Sequence, residues 1–216
     1  MADETKQENN LFVLTMPAEI AFCNLFDKRA VRGGNREQWD MTVLLPADST
    51  DLAHIKKLCV AMFKQRYPDA DLSDPRSWGR PWEGGDAYIA RMKRDKGEKA
   101  PDNGFMEGKV LLKSHSMLYP PNLSVNMPNR GIVDFRDEGR LTVKDKFYPG
   151  CLVYAEYNFQ AYKGVGQNPN GVTAYLNKVC SLNKGERRGG GRSGAEVFGA
   201  YVGKLSATDP TTDVDY

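Results

Sequence analysis

Apolar and polar positions alternate with a period of two through much of the chain, the spacing of strands with one face buried. Residues 11–26 (LFVLTMPAEIAFCNLF) read as one long strand broken at Pro17, because a proline inside a strand marks an edge or a bend. On that reading Ala18, Ile20 and Phe22 share one face, and Ala21, Cys23 and Leu25 the other. A polar turn around Gly33 and Gly34 leads to a second strand, 39–45, with Trp39, Met41, Val43 and Leu45 on one side, so the two runs form a meander pair. Residues 104–118, 131–135, 151–162 and 172–182 are the remaining predicted strands.

The period changes to helical in one segment. Over 48–67, Leu52, Ile55, Cys59, Met62 and Phe63 recur at three- and four-residue spacing, with Lys56, Lys57, Lys64 and Arg66 mostly opposite. Cap-forming residues (Asp48, Ser49, Thr50, Asp51) open it and Pro68 ends it. Residues 68–104 are poor in aliphatic side chains and read as a long loop holding at most a short strand at 88–92. A short helix is expected around 195–201, and the chain beyond 204 has no pattern that could build a core. No repeat of fixed period is present.

Composition narrows the class. With 27% charged and 40% hydrophobic residues the chain is neither collagen-like nor mostly disordered, and 21 glycines in 216 residues suit a β-rich fold with tight turns. No stretch approaches the roughly 20 apolar residues of a membrane span, and the first ten residues lack the apolar core of a signal peptide, so a soluble intracellular protein is expected. Cys23, Cys59, Cys151 and Cys180 each fall in an apolar run without paired spacing. They are expected to be buried free thiols, and no metal or cofactor is expected.

Charge is unevenly placed. Asp3, Glu4 and Glu8 against Lys6 leave the first ten residues at −2; Asp209, Asp213 and Asp215 against Lys204 leave the last thirteen at −2. The body, 11–203, therefore carries +6 of the net +2 chain. A basic body between acidic ends favours a polyanion partner and a tail able to compete for the same surface. Three basic clusters stand out: Lys28, Arg29, Arg32 and Arg36; Arg91, Lys93 and Arg94, following Tyr88; and Lys184, Arg187, Arg188 and Arg192. Such groups neutralise nucleic-acid phosphates. Tyr154 and Tyr162, on the polar face of 151–162, and Trp78, Trp82 and Tyr88 in the long loop are candidate rings for stacking on bases; the loop rings could equally pin the loop to the core.

Catalytic patterns fail on inspection. A phosphate-binding loop ending at Ser193 requires glycine at 186 and lysine at 192, and the chain has Glu186 and Arg192. A nucleophile elbow at Ser193 meets Ala195 where glycine is required. The pattern beginning at Gly164 and Gly166 meets Pro169 at its third glycine position. Asp134, Asp137 and Glu138 could bind magnesium in a nuclease, but beside Arg136 and Arg140 they read as a solvated turn.

The segments YPGCLVYAEYNFQAY and GVTAYLNKVCSLNKGER, the acidic end, and the opening FVLTMPAEIAFCNLF with TVLLP and the following helix resemble the single-stranded-DNA-binding proteins of tailed bacteriophages and prophages. The resemblance spans most of 11–190. It implies an OB fold, a five-stranded antiparallel Greek-key barrel, with one amphipathic helix, long loops and a disordered acidic tail. It implies sequence-independent binding of single-stranded DNA without catalysis, in phage replication, recombination and repair. The setting would be the cytoplasm of an infected or lysogenic bacterial host.

The expected domain map is an acidic flexible start at 1–10, a DNA-binding domain at 11–203 with an insertion at 68–104, and an acidic tail at 204–216. In that tail Asp209, Asp213, Asp215 and the terminal Tyr216 would engage phage or host replication and recombination proteins, or occupy the DNA groove when DNA is absent. The protein would be a monomer or weak dimer, with room for cooperativity on DNA. The rivals are a virion or assembly β-sandwich without nucleic-acid affinity and the nuclease on Asp134, Asp137 or Glu138.

Overall fold

The computed structural model describes residues 10–31, 36–74, 77–97 and 104–188. The long opening run is extended but forms two strands, β1 (Leu11–Val13) and β2 (Ala18–Ala30). Pro17 lacks a backbone donor, and the break before it is held by Asp51, a carboxylate only 1% exposed. Its oxygens accept from the Thr15 backbone (2.9 Å), the Thr15 hydroxyl (2.6 Å) and the Met16 backbone (3.1 Å).

The facing of β2 differs from the alternation expected. A register shift between Ile20 and Phe22 turns Ala21 and Phe22 onto a second apolar cluster, while Cys23 and Leu25 join Ala18 and Ile20 against the main core. A bulge inserts one residue and inverts the phase beyond it, which strict period-two reading cannot detect.

β3 (Glu37–Pro46) follows, with Met41, Val43 and Leu45 buried. Helix α1 (Thr50–Arg66) starts where its cap chemistry lies: the Ser49 hydroxyl accepts from the Leu52 backbone at 3.2 Å. It buries the five expected apolar side chains.

The region expected to be a loop contains β4 (Trp82–Gly84) and a second helix, α2 (Gly85–Lys96), where a short strand was expected over 88–92. Tyr88 and Ile89 pack with Phe22 and Phe105 around Ala21, Leu44, Met106 and Leu111, a small core outside the main one. The helix therefore has a narrow apolar face and a basic remainder, too little apolar signal to reveal the period.

β5 (Lys109–Ser116), β6 (Asn122–Met127) and β7 (Gly131–Phe135) come next; β6 was not expected. A 3₁₀ segment, Asp137–Lys146, follows, and Asp134, Asp137 and Glu138 are exposed, as the solvated-turn reading expected. β8 (Leu152–Tyr162) and β9 (Gly171–Ser181) complete the described chain.

Pairing closes five strands on themselves: β2 with β3, β3 with β5, β5 with β9, β9 with β8, and β8 back to β2. Within this ring every pairing is antiparallel except β5 with β9, and outside it β6 also runs parallel to β9. β4 lies along β5, and the β6–β7 hairpin extends β9. The molecule is thus mainly β, with two α-helices and shorter 3₁₀ turns among the described residues.

Inside the ring sit Ile20, Met41, Val43, Leu112, Val153, Ala155, Tyr157, Phe159, Ala174 and Leu176, each 2% exposed or less. The alternation of β8 is as expected, Val153, Ala155, Tyr157 and Phe159 inward and Tyr154 through Tyr162 outward. The Tyr157 hydroxyl is fully enclosed without a hydrogen-bond partner among the described residues, a cost the burial of its ring offsets.

The cysteines are free. Cys59 and Cys151 are buried, Cys23 and Cys180 half-buried. Burial pushes the Cys59 thiol up to about 12 and the Cys23 thiol to about 11, so both remain protonated and unreactive at neutral pH.

Candidate nucleic-acid interface

Residues that alternate with the ring's core positions face outward. On adjacent strands they converge on a shallow groove of about 250 Å³. β2 supplies Arg29, β3 Gln38 and Thr42, β5 Lys113 and His115, β8 Tyr162 and β9 Thr173, with Arg80 and Pro81 on the approach to β4. The groove is shared among strands distant in sequence, so only the closed pairing brings these side chains together.

Its charges are arranged by two carboxylates. Asp40, 7% exposed, accepts from Asn24 Nδ2 at 2.9 Å and Arg29 Nε at 2.5 Å. Glu83, on β4, accepts from Arg91 of α2 at 3.0 and 3.2 Å and from Lys113 Nζ at 2.5 Å. Burial alone would raise the Glu83 carboxyl, but hydrogen bonds from Arg91 and Lys113 outweigh it and hold the group below the usual carboxylate range. Arg80 meets no carboxylate among the described residues and lies 5.8 Å from the Trp82 ring. Four cations thus stand against two acids.

Rings complete the surface. His115 and Tyr175 make an edge contact at 5.1 Å, and burial lowers the imidazole pKa, keeping it neutral at neutral pH. Tyr162, 38% exposed, lies against the bridge between Gly79 and Gly171, where the absence of side chains leaves room for its ring.

The groove joins the first two basic clusters in part. Arg29 lines it, Arg91 reaches it through Glu83, and Tyr88 packs beside them against Phe22 at 6.0 Å with the Arg91 guanidinium 5.1 Å from its ring. Lys28 sits 4.6 Å over Trp39, and Arg36 is exposed at the hairpin end. Lys93 and Arg94 are exposed on α2, Arg94 beside Asp95 at 3.4 Å.

Trp78 requires a correction. It is 5% exposed, stacked on Phe63 at 4.7 Å and edge-on to Trp82 at 5.7 Å, so it pins the chain to the core and has no face free for a base. Trp82 is half-buried against the same core.

Tyr154 is separated from Tyr162. The two lie eight residues apart on one face of β8, roughly 26 Å along a strand, and Tyr154 faces Val13, Ser124 and Lys178. The third cluster is also apart. Lys184 is exposed, Arg187 lies 4.4 Å over Tyr148, and Arg188 bonds Glu19 and covers Phe105. Arg32, Arg192 and the tail residues Asp209, Asp213, Asp215 and Tyr216, with the helix expected at 195–201, lie outside the described residues.

The groove residues the sequence reading missed include Gln38, Thr42, Arg80, Lys113, His115 and Thr173, with Tyr175 against His115. Lys113 and His115 alternate outward on β5, and that phase was the available signal.

Among the described residues no three His, Cys, Asp or Glu side chains are grouped to hold a metal ion, so Asp134, Asp137 and Glu138 do not converge. Asp134 accepts from the Ser124 hydroxyl at 2.6 Å. No helix among the described residues is long and apolar enough to cross a membrane.

A ring of strands whose outer wall presents cations beside accessible aromatic rings has the make-up of a nucleic-acid-binding module. The family model described as Enterobacter phage Enc34, ssDNA-binding protein, matches residues 12–209, and the chain belongs to that family of phage single-stranded-DNA-binding proteins.

Solved structures agree in fold. The single-stranded DNA-binding protein from bacteriophage Enc34 in complex with ssDNA superposes with a TM-score of 0.60 at 14% identity, over 87% of this chain and all of that one. A second structure of the single-stranded DNA-binding protein from bacteriophage Enc34 gives 0.60 at 14%, over 91% and 97%. Bacteriophage T7 gp2.5, a single-stranded DNA binding protein, gives 0.52 at 11%, over 95% and 98%. No curated protein matches in sequence.

Proposed function

We propose that this chain binds single-stranded DNA without reading its sequence, in phage DNA replication, recombination and repair, and that the groove between Arg29 and Tyr162 takes the strand. The observation that carries the placement is the convergence of Arg29, Arg80, Arg91 and Lys113 beside Tyr162 and the His115–Tyr175 pair on one outer wall. Cations would meet phosphates and rings would meet bases, leaving no contact that depends on base identity.

The scaffold reads as an OB-type Greek-key barrel. Supporting this are the closed order β2–β3–β5–β9–β8, in which only β5 and β9 run parallel, and the cationic and aromatic groups on a strand face. The role is binding, not catalysis, and its setting is the cytoplasm of an infected or lysogenic host. The acidic end, 204–216, supplies Asp209, Asp213, Asp215 and Tyr216 to compete with DNA for the cationic wall. When DNA displaces it, the end is free for replication or recombination proteins.

Titrating dye-labelled oligo-dT with the purified chain tests this. Binding is expected to weaken with salt at a log–log slope of about −0.7 per phosphate neutralised, and an affinity indifferent to salt would overturn the reading. Deleting residues 208–216 is expected to tighten binding at low salt. Unchanged or weaker binding would remove the competing role of the tail.

A further inference from the structure

We infer that the turn at 116–121 is an additional base-stacking contact, with Tyr119 and its neighbour Leu118 receiving nucleobases where the strand leaves the groove. The inference rests on the groove as the strand's site and extends its footprint.

Leu118 is 83% exposed and Tyr119 78%. One exposed apolar side chain on a loop is ordinary, but two large neighbours on a backbone held this firmly are not explained by packing. The Ser116 hydroxyl donates to the Tyr119 carbonyl at 2.5 Å, closing the turn. Pro120 and Pro121 fix two further backbone torsions.

The far end is anchored by Arg140, a guanidinium only 9% exposed, which donates to the Pro121 carbonyl and, at 2.7 Å, to the Leu25 carbonyl. Burying that cation against carbonyls is costly, and it fixes the turn to β2. The turn is therefore rigid while its two largest side chains stand in water, the state of a surface prepared for a partner.

Position identifies the partner. β5 carries Lys113 and His115 in the groove and runs straight into the turn. Ser116 pairs with Trp39, and Lys28 sits over the Trp39 ring at 4.6 Å. That pair lies on the opposite face of the ladder from the groove; a strand running along β5 past Lys113 and His115 has a cation for its phosphate and, in the turn that follows, the exposed Tyr119 ring for its base. Two side chains are far short of the roughly 800 Å² per partner of a stable protein interface, so a second copy of the chain is the weaker occupant.

The test uses the full-length protein and dye-labelled oligo-dT of two lengths, about 6 and about 20 nucleotides, spanning the site sizes of single OB-type modules. Tyr119→Ala is expected to lose five- to tenfold in affinity for the longer oligonucleotide and less than twofold for the shorter. Its salt slope should stay unchanged, because the lost contact is not ionic. Tyr119→Phe, which keeps the ring, is expected to bind like the unmodified chain, and a melting curve confirms the fold of each variant.

Unaltered binding of both lengths by Tyr119→Ala overturns the inference, as does equal loss on both lengths or failure of Tyr119→Phe to rescue. So does loss of DNA-free self-association in sedimentation with DNA affinity intact. Failure of the groove reading looks different: Arg80→Glu with Lys113→Glu would then leave binding unchanged, whereas failure here alone leaves that double variant defective.

Discussion

Arg80→Glu combined with Lys113→Glu is expected to weaken binding of oligo-dT at low salt by about 100-fold, or about 2.7 kcal/mol. Arg80 has no carboxylate partner among the described residues, and Lys113 shares Glu83 with Arg91, so both cations are available to phosphate at small rearrangement cost. Each lost charge-assisted contact is worth about 1.5 kcal/mol, and each introduced carboxylate repels the strand. Two contacts fewer should also flatten the log–log salt slope by about 1.4.

The informative control is Lys93→Glu with Arg94→Glu, an equal change in net charge on the exposed side of α2. That variant is expected to lose no more than about tenfold, since cations outside the strand's path act only through the screened long-range field. Equal losses in both double variants would mean that overall charge, not the groove, sets affinity. Anisotropy titrations at three salt concentrations separate these outcomes.

The contrast between the two pairs also explains what could be read from the sequence. Lys93 and Arg94 belong to an obvious basic cluster, while Arg80 and Lys113 are isolated along the chain and become neighbours only through the pairing of β4, β5 and β9. Residue runs reveal charge density, but a groove is made by register, and register between distant strands leaves no local trace.

The strands themselves were legible where the two faces differ in polarity, as in β3 and β8. Helix α1 was legible because its cap, stop and apolar spacing agree. Helix α2 was hidden because it packs on a small cluster outside the ring, with Gly84 and Gly85 at its start suggesting a loop.

Trp78 shows a different limit. An aromatic residue in a polar, glycine-rich stretch has the same local signature whether it stacks on a base or on Phe63, and only the tertiary contact decides. The same ambiguity worked in reverse at Tyr119, where an unremarkable Leu-Tyr-Pro-Pro sequence becomes notable once its side chains are found in solvent on a fixed backbone.

Gly150→Ala is expected to destabilise the fold by about 3 kcal/mol or more, lowering the melting temperature by about 6–12 °C for a chain of this size. Gly150 precedes β8 with φ +95°, a conformation that costs an L side chain about 1–2 kcal/mol. A Cβ there would lie 1.7 Å from the Glu186 carbonyl oxygen, so the 185–188 segment would have to move, at a typical overpacking cost of about 1–3 kcal/mol.

That movement is resisted from both sides. The Gly150 backbone donates to Ile20 of β2 at 2.8 Å, the Arg188 backbone donates to Pro149 at 2.8 Å, and the Arg188 side chain is tied to Glu19. Gly166→Ala provides the comparison, because Gly166 also has positive φ (+65°) but open space where its Cβ would go. It should lose only the conformational part, about 1–2 kcal/mol. The difference between the two melting temperatures therefore measures how tightly the 185–188 segment is clamped against the start of β8. Equal losses would show that Glu186 yields freely and that the described end of the chain is not locked to the ring.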